Sequence, residues 1–192
     1  MSQAYGDDFA RLYDSRWATF AVEAAPVIHA FHTSRSGSDL PLRMLDLCCG
    51  TGQLTRYFLD RGFRATGVDL SEAMLGHARR NAGPHLQDGA ADFVRADAAD
   101  FELSQTYGLV VSTYDALNHL PHLEALRSCL ACVAAVTVPG GQFVFDLVDV
   151  ARLAEQTGWE LYFAVLEDLT APLAEPELEG RVFAVATRVP AT

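Results

Sequence analysis

Residues 43–58 read RMLDLCCGTGQLTRYF, an apolar segment that ends in two cysteines and a Gly-Thr-Gly turn before a helix-like segment begins. The short apolar run is typical of a buried strand, and large apolar side chains recur at helical spacing after the turn. Gly50 and Gly52 leave the turn without side chains, and the first turn of a helix has free N–H groups. The stretch therefore predicts a place where a ligand approaches bare backbone.

Length and composition predict one globular domain. The chain has 192 residues, of which 50% are hydrophobic and 20% are charged, which is enough for one sizeable core. Charged residues or glycines interrupt each apolar run before it reaches the about 18 residues that a membrane span needs. The first residues, MSQAYGDDF, lack the basic start and apolar core of a signal peptide. We therefore expect a cytoplasmic protein that does not contact a membrane.

Charge and cysteines argue against two classes of function. A formal net charge of −11 and a pI near 4.8 disfavour nucleic acid, whose phosphates are negative. Cys48 and Cys49 are adjacent at the strand end, and Cys129 and Cys132 lie in a predicted helix. A lone Cys-x-x-Cys pair is weak evidence for zinc, and Cys129 shares a helix face with apolar residues. We expect buried thiols and no metal site.

Strand-like and helix-like segments alternate along the rest of the chain. A helical region spans about residues 7–32, and a polar linker, TSRSGSD, follows it. The strand-like segments after the linker are RMLDLC, RATGVDL, DFVRAD, YGLVVST, QFVFDLV, WELYFAVL and RVFAVATRV. This alternation predicts an α/β fold with a mainly parallel sheet and helices on both faces.

The linker divides this single domain into two predicted parts. Residues 1–38 form an N-terminal helical cap and linker, and residues 39–192 form the core. Within the core, Pro-Gly-Gly at 139–141 predicts a turn before the fifth strand. A helix is expected around residues 149–157, and an acidic, proline-containing loop at 167–180 joins the last two strands.

Two aspartates follow the second and third predicted strands. Asp69 is placed to accept hydrogen bonds from ribose hydroxyls, and Asp97 from an exocyclic amine. Either residue alone is equally compatible with a helix cap or a turn. Together with the bare turn they mark three strand ends in order, which favours an adenosine-containing ligand. Thr55 stands where a dinucleotide fingerprint has its third glycine, so a pyrophosphate is disfavoured.

Five segments together resemble the motifs of class I S-adenosylmethionine-dependent methyltransferases of the small-molecule type. In chain order they are LDLCCGTGQLT, GVDLSEAMLGHAR, VRADAADF, LVVSTYDALNHL and VPGGQFVFDL. The resemblance covers nearly the whole chain and implies a Rossmann-like fold, with a seven-stranded, mostly parallel sheet, helices on both faces and an antiparallel last strand. The sequence departs from the pattern at Cys48, where a glycine often stands, and at Gly108, where an aspartate is common. The segment after the fifth strand is shorter than in similar relatives, which leaves open what closes the acceptor pocket.

The resemblance implies S-adenosyl-L-methionine as cofactor and methyl transfer to an oxygen or nitrogen of a small organic molecule by in-line displacement. In this family pattern Asp46 orders the glycine-rich loop or binds the cofactor's amino group, and the carbonyl of Thr113 receives its ammonium. The full set of implied cofactor-binding residues is Tyr13, Trp17, Asp46, Cys49, Gly50, Gly52, Asp69, Leu70, Met74, Asp97, Ala98, Thr113 and Asn118.

The chemistry needs positioning of the acceptor and, for some acceptors, removal of a proton. The candidate catalytic residues are Tyr114, Asp115 and His119, just after the fourth strand. His119 is the first candidate for a base, because an ordinary histidine titrates near neutrality; a structural hydrogen bond is its other interpretation. Two interpretations are open for the aromatic residues of the cap, which are Tyr5, Tyr13 and Trp17. They either form a wall of the cofactor site or pack the cap onto the sheet.

Other function classes stay open at this stage. A protein that binds S-adenosylmethionine or S-adenosylhomocysteine without methyl transfer would share every cofactor residue, as would a subunit that binds a partner protein. A nicotinamide dehydrogenase is disfavoured by Thr55. Methylation of nucleic-acid bases is disfavoured because no Asn/Asp-Pro-Pro-aromatic segment follows the fourth strand. The sequence does not decide the assembly state and is compatible with a homodimer.

Overall fold

The computed structural model describes residues 6–35, 40–146, 159–164 and 183–188. Its helices are α1 (Asp7–Arg16), α2 (Ala18–Arg35), α3 (Gln53–Leu59), α4 (Glu72–Ala82), α5 (Pro84–Gln87) and α6 (Leu123–Val136), with a short 3-10 helix at Ala116–His119. Its strands are β1 (Arg43–Leu47), β2 (Arg64–Asp69), β3 (Ala91–Arg95), β4 (Tyr107–Ser112), β5 (Thr137–Asp146), β6 (Trp159–Ala164) and β7 (Phe183–Arg188).

The strands form one seven-stranded sheet in the order β3-β2-β1-β4-β5-β7-β6. Neighbouring strands from β3 to β5 are parallel, whereas β7 is antiparallel to both β5 and β6. The prediction of a mostly parallel, Rossmann-like sheet with an antiparallel last strand is confirmed. The strand order reverses between β1 and β4, and in such sheets ligands bind beyond the carboxyl ends of the strands at this point.

Two apolar clusters cover the two faces of the sheet. Strands β1 and β4 contribute alternate side chains to each, with Met44 in one cluster and Leu45 in the other. Helices α2, α3 and α4 pack on the first face, and α6 packs on the second. The prediction of helices on both faces is therefore confirmed. None of the described helices is both long and apolar enough to cross a lipid bilayer.

Several local predictions need correction. The N-terminal helical region is broken at Trp17 into α1 and α2, and α2 runs on to Arg35, through the first residues of the predicted linker. Pro-Gly-Gly at 139–141 lies within the bounds of β5 rather than in a turn before it. It forms an irregular part of the strand, where the register against β4 shifts and Gly140 has φ +78°. The predicted helix at 149–157 and loop at 167–180 lie outside the described residues.

The cysteines are less buried than expected. Cys129 is fully enclosed among the apolar side chains of α6 and the sheet, but the other three cysteines are partly exposed. Cys48 is partly exposed because it follows β1 at the carboxyl ends of the strands, where it lines a cavity. Its φ of +61° belongs to the left-handed region, which L-residues with a side chain seldom adopt.

Gly52 fixes the contact between α3 and α4. Its φ is +79°, and a Cβ added there would lie 2.8 Å from the Cβ of Ala78 in α4. This distance is too short for two carbons that are not bonded, so any side chain at this position would push α4 away. The glycine that begins α3 is thus needed for helix packing, a role that the sequence did not reveal.

We predict that Gly52→Ala lowers the free energy of unfolding by about 3 kcal/mol, as the sum of left-handed backbone strain and overpacking. Gly62→Ala is the matched control, because Gly62 has φ +84° but nothing within 4 Å of an added Cβ. The free energy of unfolding of this control should fall by only about 1–2 kcal/mol. Urea unfolding of both variants measures the difference; equal losses would show that the Ala78 contact does not matter.

Candidate functional site

A cavity of about 600 Å³ lies at the carboxyl ends of the four parallel strands β1 to β4. Most of the residues that the sequence pointed to meet there, although they come from distant parts of the chain. The predicted residues that line the cavity are Tyr13, Trp17, Gly50, Asp69, Leu70, Met74, Asp97, Ala98, Thr113, Tyr114, Asp115 and His119. Their convergence makes this cavity the candidate site.

The loop from β1 to α3 is held by a buried carboxylate. Asp46 is 3% exposed, and its Oδ2 accepts hydrogen bonds from the backbone N–H of Thr55 at 3.1 Å and from the Thr55 hydroxyl at 2.5 Å. Burial raises the pKa of Asp46 to about 7, a rise that the Thr55 hydrogen bonds oppose and the nearby Asp69 charge reinforces. Asp46 therefore orders the loop directly.

A second carboxylate joins the same loop to the end of β2. Asp69 Oδ2 accepts from the Gly50 N–H at 2.9 Å, and Asp69 Oδ1 accepts from the Ser71 N–H at 2.8 Å. Burial raises the pKa of Asp69, against the lowering effect of these backbone hydrogen bonds. Each oxygen keeps a second lone pair, so Asp69 can still accept hydrogen bonds from a ligand in the cavity.

The far end of the cavity is an apolar slot beside a third carboxylate. Met74 is buried on α4, whose first turn is capped by the Ser71 hydroxyl, and Leu70 is 62% exposed at the rim. Asp97 Oδ1 accepts from the Ala99 N–H at 2.9 Å. The slot can hold a flat heterocycle, with Asp97 and the Ala98 backbone at its edge.

Backbone strain is concentrated after β4. Tyr114 and Asp115 have φ of +70° and +59°, and residues in such conformations cost of order 1–3 kcal/mol each and are most common at functional sites. The Asp115 N–H donates to Oδ2 of Asp146, a buried carboxylate at the end of β5, at 3.0 Å. Sequence reasoning missed Asp146, although an aspartate at the end of an apolar strand was a usable signal.

Aromatic side chains of the N-terminal region line the other side of the cavity. Phe9 and Tyr13 of α1 and Trp17, the residue that ends it, follow one another at a spacing of four residues, so they point to the same side. The Tyr13 ring lies near-perpendicular to that of Tyr114, with 6.0 Å between centroids. Phe9 was missed, although its spacing from Tyr13 could have revealed it. Tyr5 lies outside the described residues.

Four predicted cofactor residues do not line this cavity. Asp46 and Cys49 line a small adjoining cavity of about 20 Å³, which shares Tyr13 and Thr113 with the larger one. Gly52 packs on α4, as described above. Asn118 lies on the exposed 3-10 helix, where its Nδ2 donates to Asp115 Oδ1 at a long 3.4 Å.

The two histidines after β4 have different positions. His119 is exposed and lines the cavity. His122 caps α6, because its Nδ1 accepts from the Ala125 N–H at 3.0 Å. Within the described ranges, no three His, Cys, Asp or Glu side chains are grouped so that they could hold a metal ion.

Comparison with known families agrees with this geometry. Residues 44–141 match the family model described as a methyltransferase domain, which is more than half of the chain. The chain belongs to this methyltransferase family. The match begins in β1 and includes the glycine-rich loop and the ends of β2, β3 and β4. The resemblance to class I S-adenosylmethionine-dependent methyltransferases is thereby confirmed.

Two curated methyltransferases illustrate the range of relatives. Trans-aconitate 2-methyltransferase of Streptomyces avermitilis is 36% identical over 132 residues, which are 62% of this chain and 47% of that protein. A dTDP-3-amino-3,4,6-trideoxy-alpha-D-glucopyranose N,N-dimethyltransferase of Streptomyces venezuelae is 32% identical over 146 residues, 74% of this chain and 58% of that protein. The chain thus spans about half the length of these relatives.

Solved structures share the fold of this methyltransferase-family chain. A TehB-like SAM-dependent methyltransferase from Corynebacterium glutamicum superposes with a TM-score of 0.76. The match covers 95% of this chain and the whole of that chain, at 21% sequence identity. At this identity the similarity supports the fold alone.

The buried Asp46 carboxyl predicts a pH dependence of stability. The pKa of this carboxyl is 3.8 in its ordinary state and about 7 in the folded protein. Between these two pH values the folded protein retains a proton that the unfolded chain has lost. The free energy of unfolding therefore falls as pH rises through this window, by up to about 4 kcal/mol from this group. Asp46→Asn, whose amide can still bond Thr55, should remove this contribution.

Urea unfolding at a series of pH values measures this effect as the difference between wild type and Asp46→Asn. The variant should gain stability relative to wild type as pH rises from about 4 to about 8. Asp88→Asn is the control, since Asp88 is exposed at the end of α5. A difference that does not change with pH would contradict a raised pKa for Asp46.

Proposed function

We propose that the chain binds S-adenosyl-L-methionine and catalyses transfer of its methyl group to an oxygen or nitrogen of a small organic acceptor. The observation that carries this proposal is that the bare loop at Gly50, the Asp69 carboxylate and the Asp97 carboxylate line one cavity in the order of their strands. A ligand with an amino-acid part, a ribose and an adenine matches these three groups in sequence.

The described residues fit the cofactor part by part. Asp69 has lone pairs left for ribose hydroxyls after its bonds to the loop. Met74 and the exposed Leu70 flank the slot for the adenine, and Asp97 accepts from its exocyclic amine. Gly50, Thr113 and the small cavity beside Asp46 form the place for the amino-acid part, where carbonyl and carboxylate oxygens receive an ammonium.

The opposite end of the cavity suits the acceptor. When bound, S-adenosyl-L-methionine supplies a methyl group on a sulfonium, which is an already activated leaving group. The protein's own task is to orient the acceptor lone pair and to accept its proton. Tyr114 and Asp115, which lie in a strained turn tied to Asp146 of β5 through the Asp115 N–H, orient the acceptor. His119 at the cavity wall takes the proton.

The N-terminal segment completes the site in this proposal. Residues 1–38 act as a cap on the core of residues 39–192, and the aromatic face of α1 forms a wall of the cavity. The negative net charge and the size of the cavity support a small-molecule acceptor rather than a nucleic acid. The two curated relatives are named for methylation of a carboxylic acid and of an amino sugar, so both oxygen and nitrogen acceptors belong in a screen.

The cofactor assignment predicts that Asp69→Ala weakens binding of S-adenosylhomocysteine about 10- to 100-fold, the equivalent of one or two hydrogen bonds to a charged group. Calorimetric titration of the purified protein measures the dissociation constant. Reduced nicotinamide dinucleotide is the control ligand that should not bind. Asp88→Ala, which removes an exposed carboxylate outside the cavity, should bind like wild type. Unchanged affinity in a folded Asp69→Ala variant would remove this residue from the site.

The transfer step predicts release of S-adenosylhomocysteine when the protein is incubated with S-adenosyl-L-methionine and a panel of small amines, alcohols and carboxylic acids. With an active acceptor, His119→Ala should lower kcat by about 100-fold or more and leave the affinity for S-adenosylhomocysteine unchanged. His122→Ala is the neighbouring control, since His122 caps α6. Tight cofactor binding without turnover of any acceptor would favour a binding protein that does not transfer methyl groups.

A further inference from the structure

Apolar packing holds α1 only weakly. Ala10 is the one buried residue of this ten-residue helix, and the aromatic side chains on its other face line the cavity rather than the core. Leu12 is exposed. Burial of a single alanine does not explain why α1 lies against the glycine-rich loop, so other interactions have to hold the helix in place.

A carboxylate on α1 supplies these interactions. Asp14 Oδ1 accepts from Nε2 of Gln53, at the start of α3, and from Nδ2 of Asn81, on α4, both at 2.7 Å. Its Oδ2 lies 3.2 Å from Nδ1 of His77, also on α4. One side chain of α1 thus binds three side chains of two core helices.

The same network reaches the glycine-rich loop. Gln53 Oε1 accepts from the Thr51 hydroxyl at 2.7 Å, and Asn81 Nδ2 also donates to the Thr51 carbonyl at 2.9 Å. Thr51 stands between the two glycines of the loop. The network therefore connects the cap helix to the part of the chain that is proposed to contact the cofactor.

The pKa of Asp14 shows that its contacts favour the charged carboxylate. Its side chain is 28% exposed. Burial alone would raise the pKa of Asp14, but the hydrogen bonds from Asn81, His77 and Gln53 together with the nearby His77 outweigh burial and lower it. The carboxylate is thus stabilised in its ionised form by the contacts that dock α1.

Tyr13, the residue before Asp14, contacts both the glycine-rich loop and Tyr114. Tyr13 turns toward the cavity, and its ring carbon Cε1 lies 3.5 Å from the position that a Cβ on Gly50 would occupy. The ring also meets Tyr114 edge-on across the cavity. Tyr13 is therefore in contact with the loop on one side and with the acceptor end on the other.

The loop has supports that do not involve α1. Asp69 holds the Gly50 N–H, and Asp46 holds the first turn of α3 through Thr55. Loss of Asp14 would leave both contacts in place. The contribution that depends on Asp14 alone is thus the position of α1, and with it the position of the Tyr13 ring.

We propose that Asp14 is a positioning residue of the cofactor site, which docks α1 so that Tyr13 closes over Gly50 and the bound cofactor. This inference rests on the proposed function, because it assumes that S-adenosyl-L-methionine lies along the loop. Asp14 itself does not line the cavity and acts through Tyr13.

The test is the dissociation constant for S-adenosylhomocysteine in matched variants. Asp14→Ala should weaken binding at least 10-fold, and Asp14→Asn, which keeps an acceptor for Gln53 and Asn81, should weaken it less than Asp14→Ala. Asp8→Ala is the control on the same helix, because the Asp8 side chain is 96% exposed and forms a surface ion pair with Arg11. It should bind within twofold of wild type.

A double-mutant cycle separates positioning from a general loss of structure. In a Tyr13→Ala background, Asp14→Ala should change the dissociation constant by less than threefold, because the ring that Asp14 positions is absent. The same large loss in both backgrounds would overturn the proposal, as would an unchanged affinity of Asp14→Ala. If Asp14→Ala does not fold, His77→Ala and Asp14→Asn enter the same cycle and are judged by the same criterion.

The outcome for wild type distinguishes this inference from the proposed function. If wild-type protein does not bind S-adenosylhomocysteine, the proposed function fails. If wild type and Asp8→Ala bind and Asp14→Ala binds equally well, only the role of Asp14 fails. Steady-state kinetics give a second readout: Asp14→Ala should raise KM for S-adenosyl-L-methionine about as much as the dissociation constant, with kcat changed less than threefold.

Discussion

The hydrogen bonds between the buried Asp46 carboxyl and Thr55 fix where α3 begins relative to β1. The glycine-rich loop at the carboxyl end of β1 depends on this contact. It sets the course of the loop through Gly50, which Asp69 then ties to β2, and it brings Gly52 against Ala78 of α4. A carboxyl group buried this deeply costs solvation energy, so the turn is held at the expense of stability.

The sequence predicted the sheet and most of the cavity for one physical reason. Parallel strands place their carboxyl ends along a single edge, so residues at the ends of successive strands, such as Asp69 and Asp97, had to meet. What could not be predicted depends on contacts between distant segments. The clash that requires Gly52, the capping by His122 and the support of Asp115 by Asp146 become visible only when helices and strands are placed together.

The site combines rigid and loosely held parts. Cys48, Tyr114 and Asp115 have left-handed backbone conformations just after the central strands β1 and β4, whose residues are almost all buried. The aromatic wall, in contrast, belongs to a helix with one buried residue and a polar attachment. The end of the cavity formed by the strand ends is therefore preorganised by the sheet, while its aromatic cover depends on a few hydrogen bonds.

The position of β7 between β5 and β6 has a consequence for synthesis of the chain on the ribosome. The strands that carry the cavity all precede residue 147, so they emerge first. One edge of β5 then has no partner until β7 is complete, which requires residues 147–188 and takes roughly 2–8 s at ~5–20 residues per second. During that interval the nascent protein exposes an apolar strand edge, the kind of surface that pairs with other chains.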